Sequence, residues 1–373
     1  MNRVTRKLLI PVVLLLVGLW AILPGGCGSE PPEAATDAEP RYTELDPIDI
    51  VHAAEAWNLL EQKGQAAWPG WGTIPAPLLL RKGDFDYLIG HPTPPEGFEL
   101  LPDVLIQGEP VYRYRGHLIP RPVATAWPVG DVWSVALPTY EEFRQALREL
   151  LGPDAIELDD VSFIRSVTHE AFHAYQFARM GGMEGLPQFV QAVEEKQVLE
   201  RLAERTDLAA YHIALGETLR SGLEAETDAA ARQAAARFLE LRREWRAGQP
   251  EQIAIFEQST EWLEGLARYA DTSLLRLAGS SAYQATSLLV KQDVIEAYPD
   301  ADETWGAFLN QLSDPTQIPG GLRDRYYVIG AGETFLLDRL MPGWQTEALP
   351  GGVALEDLLD QALTDNSSPI PIP

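Results

Sequence analysis

The chain has 373 residues, 46% of them hydrophobic, which is enough for a large buried core and too apolar for a disordered tail. Its 29 basic residues face 55 acidic ones, and the net charge of −26 excludes the basic patches that a nucleic-acid backbone requires. Cys27 is the single cysteine, so no intrachain disulfide can form and stability has to come from packing and any bound metal.

Arg3, Arg6 and Lys7 precede an apolar run from Leu8 to Leu23, shorter than the ~20 residues of a spanning helix. Residues 1–26 therefore read as an export segment, with Cys27 placed where small residues begin. The stretch resembles a bacterial lipoprotein signal, although Pro24 stands where that family usually has Leu. The resemblance implies lipidation of Cys27; the competing reading is an uncleaved N-terminal anchor. Both put the remaining chain outside the cytoplasm and tied to a membrane. Residues 27–47 are rich in Pro, Glu, Ala and Asp without apolar period, the composition of a solvated tether.

Residues 48–152 read as a sheet-containing subdomain. Ile50, Ala53, Ala54, Trp57 and Leu60 recur at helical spacing, and Trp68-Pro-Gly-Trp-Gly72 ends that helix. Short β-prone runs follow, at Pro77 to Leu80, Tyr87 to Ile89, Val111 to Tyr114 and Val132 to Leu137, and predict a small antiparallel sheet. His52 reads as an ordinary helix residue, and His91 and His117 as loop or surface residues without metal-spaced partners. Tyr140 to Leu151 predicts a second helix, stopped by Gly152-Pro153.

Residues 153–365 read as a larger helical lobe with a charge-laced helical insertion over 186–250, and 366–373 as a frayed tail. The lobe begins with Ser166-Val-Thr-His-Glu-Ala-Phe-His-Ala-Tyr-Gln176, on a helix that Asp159 or Asp160 can cap and Gly181-Gly182 can close. His169 and His173 stand four residues apart, one above the other on a helix, where two imidazoles can share one metal ion. Glu170, beside the first, is placed to take a proton from water that a zinc ion has acidified. Further on, Glu257, Glu261 and Glu264 fall on one helical face, where three carboxylates favour a facing cation. Tyr326 and Tyr327 precede a last apolar helix stopped by Pro342.

Together with this H-E-x-x-H, the segments Trp262-Leu-Glu-Gly-Leu-Ala267 and Tyr327-Val-Ile-Gly-Ala331 resemble the gluzincin branch of zinc metallopeptidases, the branch of thermolysin and the aminopeptidase N group. The resemblance runs from Ser166 to about Trp344. It implies an α+β zincin-like fold, with a small N-terminal antiparallel sheet beside a larger, mainly helical lobe. It also implies zinc held by His169, His173 and Glu264, with Glu170 as base and Tyr327 as oxyanion donor. The third ligand stays open between Glu264 and Glu261, because the glutamate segment lacks the residue usually found between Leu and Glu. Glu261 would otherwise orient a ligand histidine, Gly265 would let its helix approach the zinc helix, and the long interval between His173 and Glu264 requires an insertion that loops out. A sheet edge, Val132 to Leu137, would hold an extended peptide. Arg179 and Gln176 occupy the places where a metzincin has histidine and glycine, and no histidine follows His212 to serve as in thermolysin.

The expected activity is zinc-dependent peptide hydrolysis outside the cytoplasm, of endopeptidase type since no stretch for gripping a free amino terminus is visible. The partner is a peptide or protein substrate. The alternatives are a noncatalytic zinc-bearing surface lipoprotein that binds a partner, and a zinc hydrolase of a non-peptide bond.

Overall fold

The computed structural model describes residues 45–73, 76–120, 122–151, 158–191, 194–280, 282–286, 298–318 and 321–364. Cys27, the export segment, nearly all of the tether and the tail over 366–373 lie outside them. The fold is α+β, with one small sheet and many helices. Among the described residues, no helix is long and apolar enough to cross a membrane.

Helix α1 (Pro47–Ala67) starts on Pro47, whose fixed φ suits the first helical position, while the Asp49 carboxylate accepts from Asp46 N. Six strands follow: β1 (Leu78–Lys82), β2 (Phe85–Ile89), β3 (Glu99–Ile106), β4 (Glu109–Arg115), β5 (Thr125–Val129) and β6 (Val132–Pro138). They make one sheet in the order β3-β4-β2-β1-β6-β5. The sheet is mixed rather than antiparallel, because β1 and β6 pair in parallel, Leu78 opposite Val135 and Leu80 opposite Leu137. Three hairpins build it. The second adds to the outer side of β2, and the chain then crosses back so that the third sets β6 against β1, running in the same direction.

Strands β3 and β5 carry Pro102 and Pro128 and escape a sequence reading that treats proline as a strand breaker. Both are edge strands, where a missing N–H leaves no ladder bond unmade. Val132 to Leu137 is therefore not the sheet edge: β6 lies between β1 and β5, and β5 is the edge. Leu78, Leu80, Tyr87, Ile89, Val135 and Leu137 turn one face of the sheet to the main core. Leu79, Leu88 and Ala136 turn the other face to a small cluster with Leu118 and Ile119. His91, expected in a loop or at the surface, lies in the loop after β2 but is buried there, and its Nε2–H donates to Val129 O (2.9 Å) and so fastens the end of β5.

Helix α2 (Tyr140–Leu151) leads to α3 (Asp160–Met180), the central helix, in which every residue from Ser162 to Phe177 is buried. α3 packs on β5, β6 and α1, and His52 of α1 pairs with Asp160 at its first turn (2.7 Å). Then come α4 (Gln188–Gln191), α5 (Glu195–Ala203), α6 (Leu208–Leu223) and α7 (Asp228–Arg246). These do not loop out as an insertion. Leu215, Leu219, Phe238 and Arg242 are buried, and α6 and α7 pack against the helix over Leu322–Leu340, because the apolar stripes of these helices need a partner surface. Next are α8 (Glu251–Thr260), a π-helical turn over Glu261–Gly265, α9 (Leu266–Ala278), α10 (Ala301–Ser313), α11 (Leu322–Leu340), α12 (Gln345–Ala348) and α13 (Leu355–Thr364).

Candidate metal centre

Asp159 caps α3 by accepting from Ser162 N (2.7 Å), and Gly181, at φ 76°, ends it in the left-handed turn that glycine adopts without strain. Between these ends the helix puts His173 Nε2 3.1 Å from His169 Nε2. Glu264 comes from the π-helical turn, and its Oε2 lies 3.4 Å from His169 Nε2 and 3.1 Å from His173 Nε2. His169 and Glu264 are wholly buried and His173 nearly so.

The opposite ring nitrogens settle the protons. His169 Nδ1 faces Asp271 Oδ2 at 2.9 Å, an acceptor only, so Nδ1 carries the hydrogen. His173 Nδ1 faces Gln176 Oε1 at 2.7 Å, and Gln176 Nε2 donates to Leu263 O (3.2 Å), which fixes the amide with its oxygen toward the ring. With both Nδ1 atoms protonated, both neutral rings aim Nε2 lone pairs at each other and at the Glu264 carboxylate. Three such atoms tolerate one another only around a cation, a proton or a metal ion. Burial lowers the His169 pKa, but the bonds to Asp271 and Glu264 outweigh it and raise the ring to about 9. The edges of 3.1, 3.1 and 3.4 Å approach the ~3.3–3.4 Å ligand–ligand spacing of a tetrahedral ion with bonds of ~2.0–2.1 Å. The buried group His169, His173 and Glu264 can therefore hold a metal ion.

Arginines hold the carboxylates around it. Glu264 Oε1 accepts from Arg323 Nη2 (3.0 Å), and Arg323 Nε reaches Glu195 of α5 (2.7 Å). Burial alone would raise the Glu264 pKa; Arg323 and the two histidines instead hold it well below the carboxylate range. Asp271 is held low in the same way, burial being outweighed by Arg165 and Arg268.

Glu261 and Glu257 do not share the ion, contrary to the reading of one acidic face. Glu261 binds Arg242 through both oxygens, Arg242 Nη2 also donates to Glu333 (3.0 Å), and Glu257 pairs with Arg246 (2.6 Å). Nor does Glu261 orient a histidine, since Asp271 and Gln176 take that place. Gly265 does not face α3 either. It meets Gly330 of α11, where a Cβ on Gly265 would lie 2.7 Å from Gly330 Cα.

Glu170 is wholly buried, with no side-chain hydrogen-bond partner among the described residues. Burial raises its pKa, partly offset by His173 and His169, while the Ala126 backbone of the edge strand β5 acts in the same lowering direction. Tyr327 lies parallel to His169, ring centroids 6.2 Å apart, with the Arg323 guanidinium 5.0 Å over its own ring and its hydroxyl without a partner among the described residues. Tyr326 turns the other way, against His212 and Phe256. His212 is buried, and burial, then Arg325, hold its pKa down to about 3, so it stays neutral.

His169, His173, Glu264, Glu170 and Tyr327 thus lie close together, whereas Glu257 and Glu261 turn to arginines. Asp271, Gln176 and Arg323 are additions, and only Asp271, two helical turns beyond Glu264, carried a spacing signal. No family model, characterised protein or solved structure matches the chain.

Proposed function

We propose that the chain is a zinc-dependent peptide hydrolase of gluzincin type with a zincin-like fold, working outside the cytoplasm on a membrane tether. The observation that carries this is the meeting of three lone-pair donors at tetrahedral spacing with a wholly buried carboxylate, Glu170, whose pKa burial raises. His169, His173 and Glu264 would hold the ion. When bound, zinc supplies Lewis acidity, lowering the pKa of water toward ~7 and drawing charge from a carbonyl oxygen.

Glu170, its pKa raised by burial beside the two histidines, is the group that accepts the proton of the attacking water and returns it to the leaving amine. Tyr327 offers its free hydroxyl to the oxygen that gains negative charge. Asp271 and Gln176 keep both rings in the ligating tautomer. The edge strand β5, beside Glu170 through Ala126, offers an extended peptide a strand to pair with.

The burial of His169, Glu170 and Glu264 favours a second reading, a noncatalytic structural metal site. One comparison separates the two. Glu170→Gln in the full chain should keep about one ion per chain, while cleavage of casein or a peptide library falls at least ~10²-fold. Cleavage by the parent should stop with a chelator. Cleavage by Glu170→Gln at the parental rate rules out the proposed base.

A further inference from the structure

Away from the metal group, a cavity of about 80 Å³ lies between the start of α3, α9 and the start of α10. Val161, Leu275, Ala307 and Phe308 make its apolar walls, and Arg165 and Arg268 line it as well. Both arginines are buried, at 7% and 4% exposure. They share one carboxylate. Asp271 Oδ1 accepts from Arg165 Nε (2.9 Å) and Nη2 (2.5 Å), which leaves Arg268 Nη1 3.9 Å away. Among the described residues, the Arg268 side chain donates from Nη2 to the neutral amide of Gln311 (2.8 Å), and its Nε has no partner.

A buried guanidinium is tolerated when paired, and here two positive charges meet one full negative charge. Asp324, the other acid near Arg268, redresses this only in part, because burial raises its pKa to about 7. Burial and the neighbouring Arg165 correspondingly lower Arg268 to about 9.

We propose that this cavity binds a small aliphatic monocarboxylate, its carboxylate on Arg268 and its carbon chain along Leu275, Ala307 and Phe308. A carboxylate supplies the missing charge and accepts from a guanidinium edge in its preferred geometry. A volume of about 80 Å³ for the centres of water-sized spheres, at ~10–15 Å³ per water, is the room of about five to eight waters, so an acid of about four carbons fits. Two acids also line the cavity: Asp159, committed to Ser162 N, and the exposed Glu303. They disfavour dianions. The site needs no metal, so it stands or falls apart from the hydrolase reading.

The test is a titration of the full chain with butyrate, with its neutral isostere butyramide and with sulfate, followed by saturation-transfer NMR and thermal unfolding. Butyrate should bind saturably in the millimolar range and raise the unfolding midpoint, with butyramide and sulfate at least ~10-fold weaker. Arg268→Gln should weaken butyrate by at least ~10-fold. Since that variant can fail to fold, Ala307→Leu, at a half-buried wall position, fills the cavity and should abolish the response with the circular dichroism unchanged. The proposal is overturned if butyramide or sulfate matches butyrate, if Ala307→Leu binds butyrate undiminished, or if the parent shows no response at ~100 mM.

Discussion

Gly265→Ala is the sharpest test of how the two motif helices are held together. The new Cβ would stand 2.7 Å from Gly330 Cα, 2.9 Å from its carbonyl carbon and 3.2 Å from Ala331 N. All three are backbone atoms of α11, so no side-chain rotation relieves the contact. Restoring ordinary contact at ~3.5–4 Å requires the helices to part by roughly 1 Å, and overpacking of this kind costs about 1–3 kcal/mol. At about 2 °C per kcal/mol for a chain this long, the unfolding midpoint should fall by ~2–6 °C. Glu264 precedes Gly265 and Tyr327 precedes Gly330 by one turn, so the same parting moves the tyrosine away from the metal group while both histidines stay on α3. Differential scanning calorimetry and zinc titration should show lower stability with metal binding retained, and turnover reduced by up to ~10²-fold. An unchanged midpoint and full turnover would refute the close-packed crossing.

Three further outcomes follow from the buried charges. Glu261→Gln should cost little, because Glu333, whose pKa burial raises well above the carboxylate range, can ionise and take over Arg242; the double variant Glu261→Gln/Glu333→Gln should lose about 3–5 kcal/mol in denaturant unfolding. Gln176→Leu removes the acceptor at His173 Nδ1 and should weaken zinc by ~10–100-fold in chelator competition, with the fold intact. Asp324 has a folded pKa raised by burial to about 7 from 3.8, so its contribution to stability is full below about pH 4 and lost as pH rises through about 7. Asp324→Asn should therefore gain on the parent in unfolding midpoint between about pH 4 and pH 8, and a constant difference would contradict that assignment.

What the sequence disclosed was local. Asp159, the H-E-x-x-H and Gly181 are read within one helix, and their cap, spacing and stop need nothing from elsewhere. Glu264 was legible beside its neighbours, although a π-helical turn carries it and no regular helical wheel would have aimed it. The partners of Glu257 and Glu261 were not legible, because Arg246 and Arg242 come from α7, whose alanine-rich surface reads as solvated until α11 covers it. Pro102 and Pro128 hid two strands, since edge position depends on the pairing order and not on the strand itself. His91 looked isolated for the same reason, its partner Val129 O lying on a strand that had been passed over.

The central claim is that His169, His173 and Glu264 hold one zinc ion. Its most direct test is elemental analysis of the full chain after zinc loading and dialysis, for the parent and for Glu264→Ala. The parent should retain about one ion per chain and Glu264→Ala essentially none, with its unfolding remaining cooperative. A parent that emerges free of zinc, or a Glu264→Ala variant that retains as much as the parent, would contradict the account.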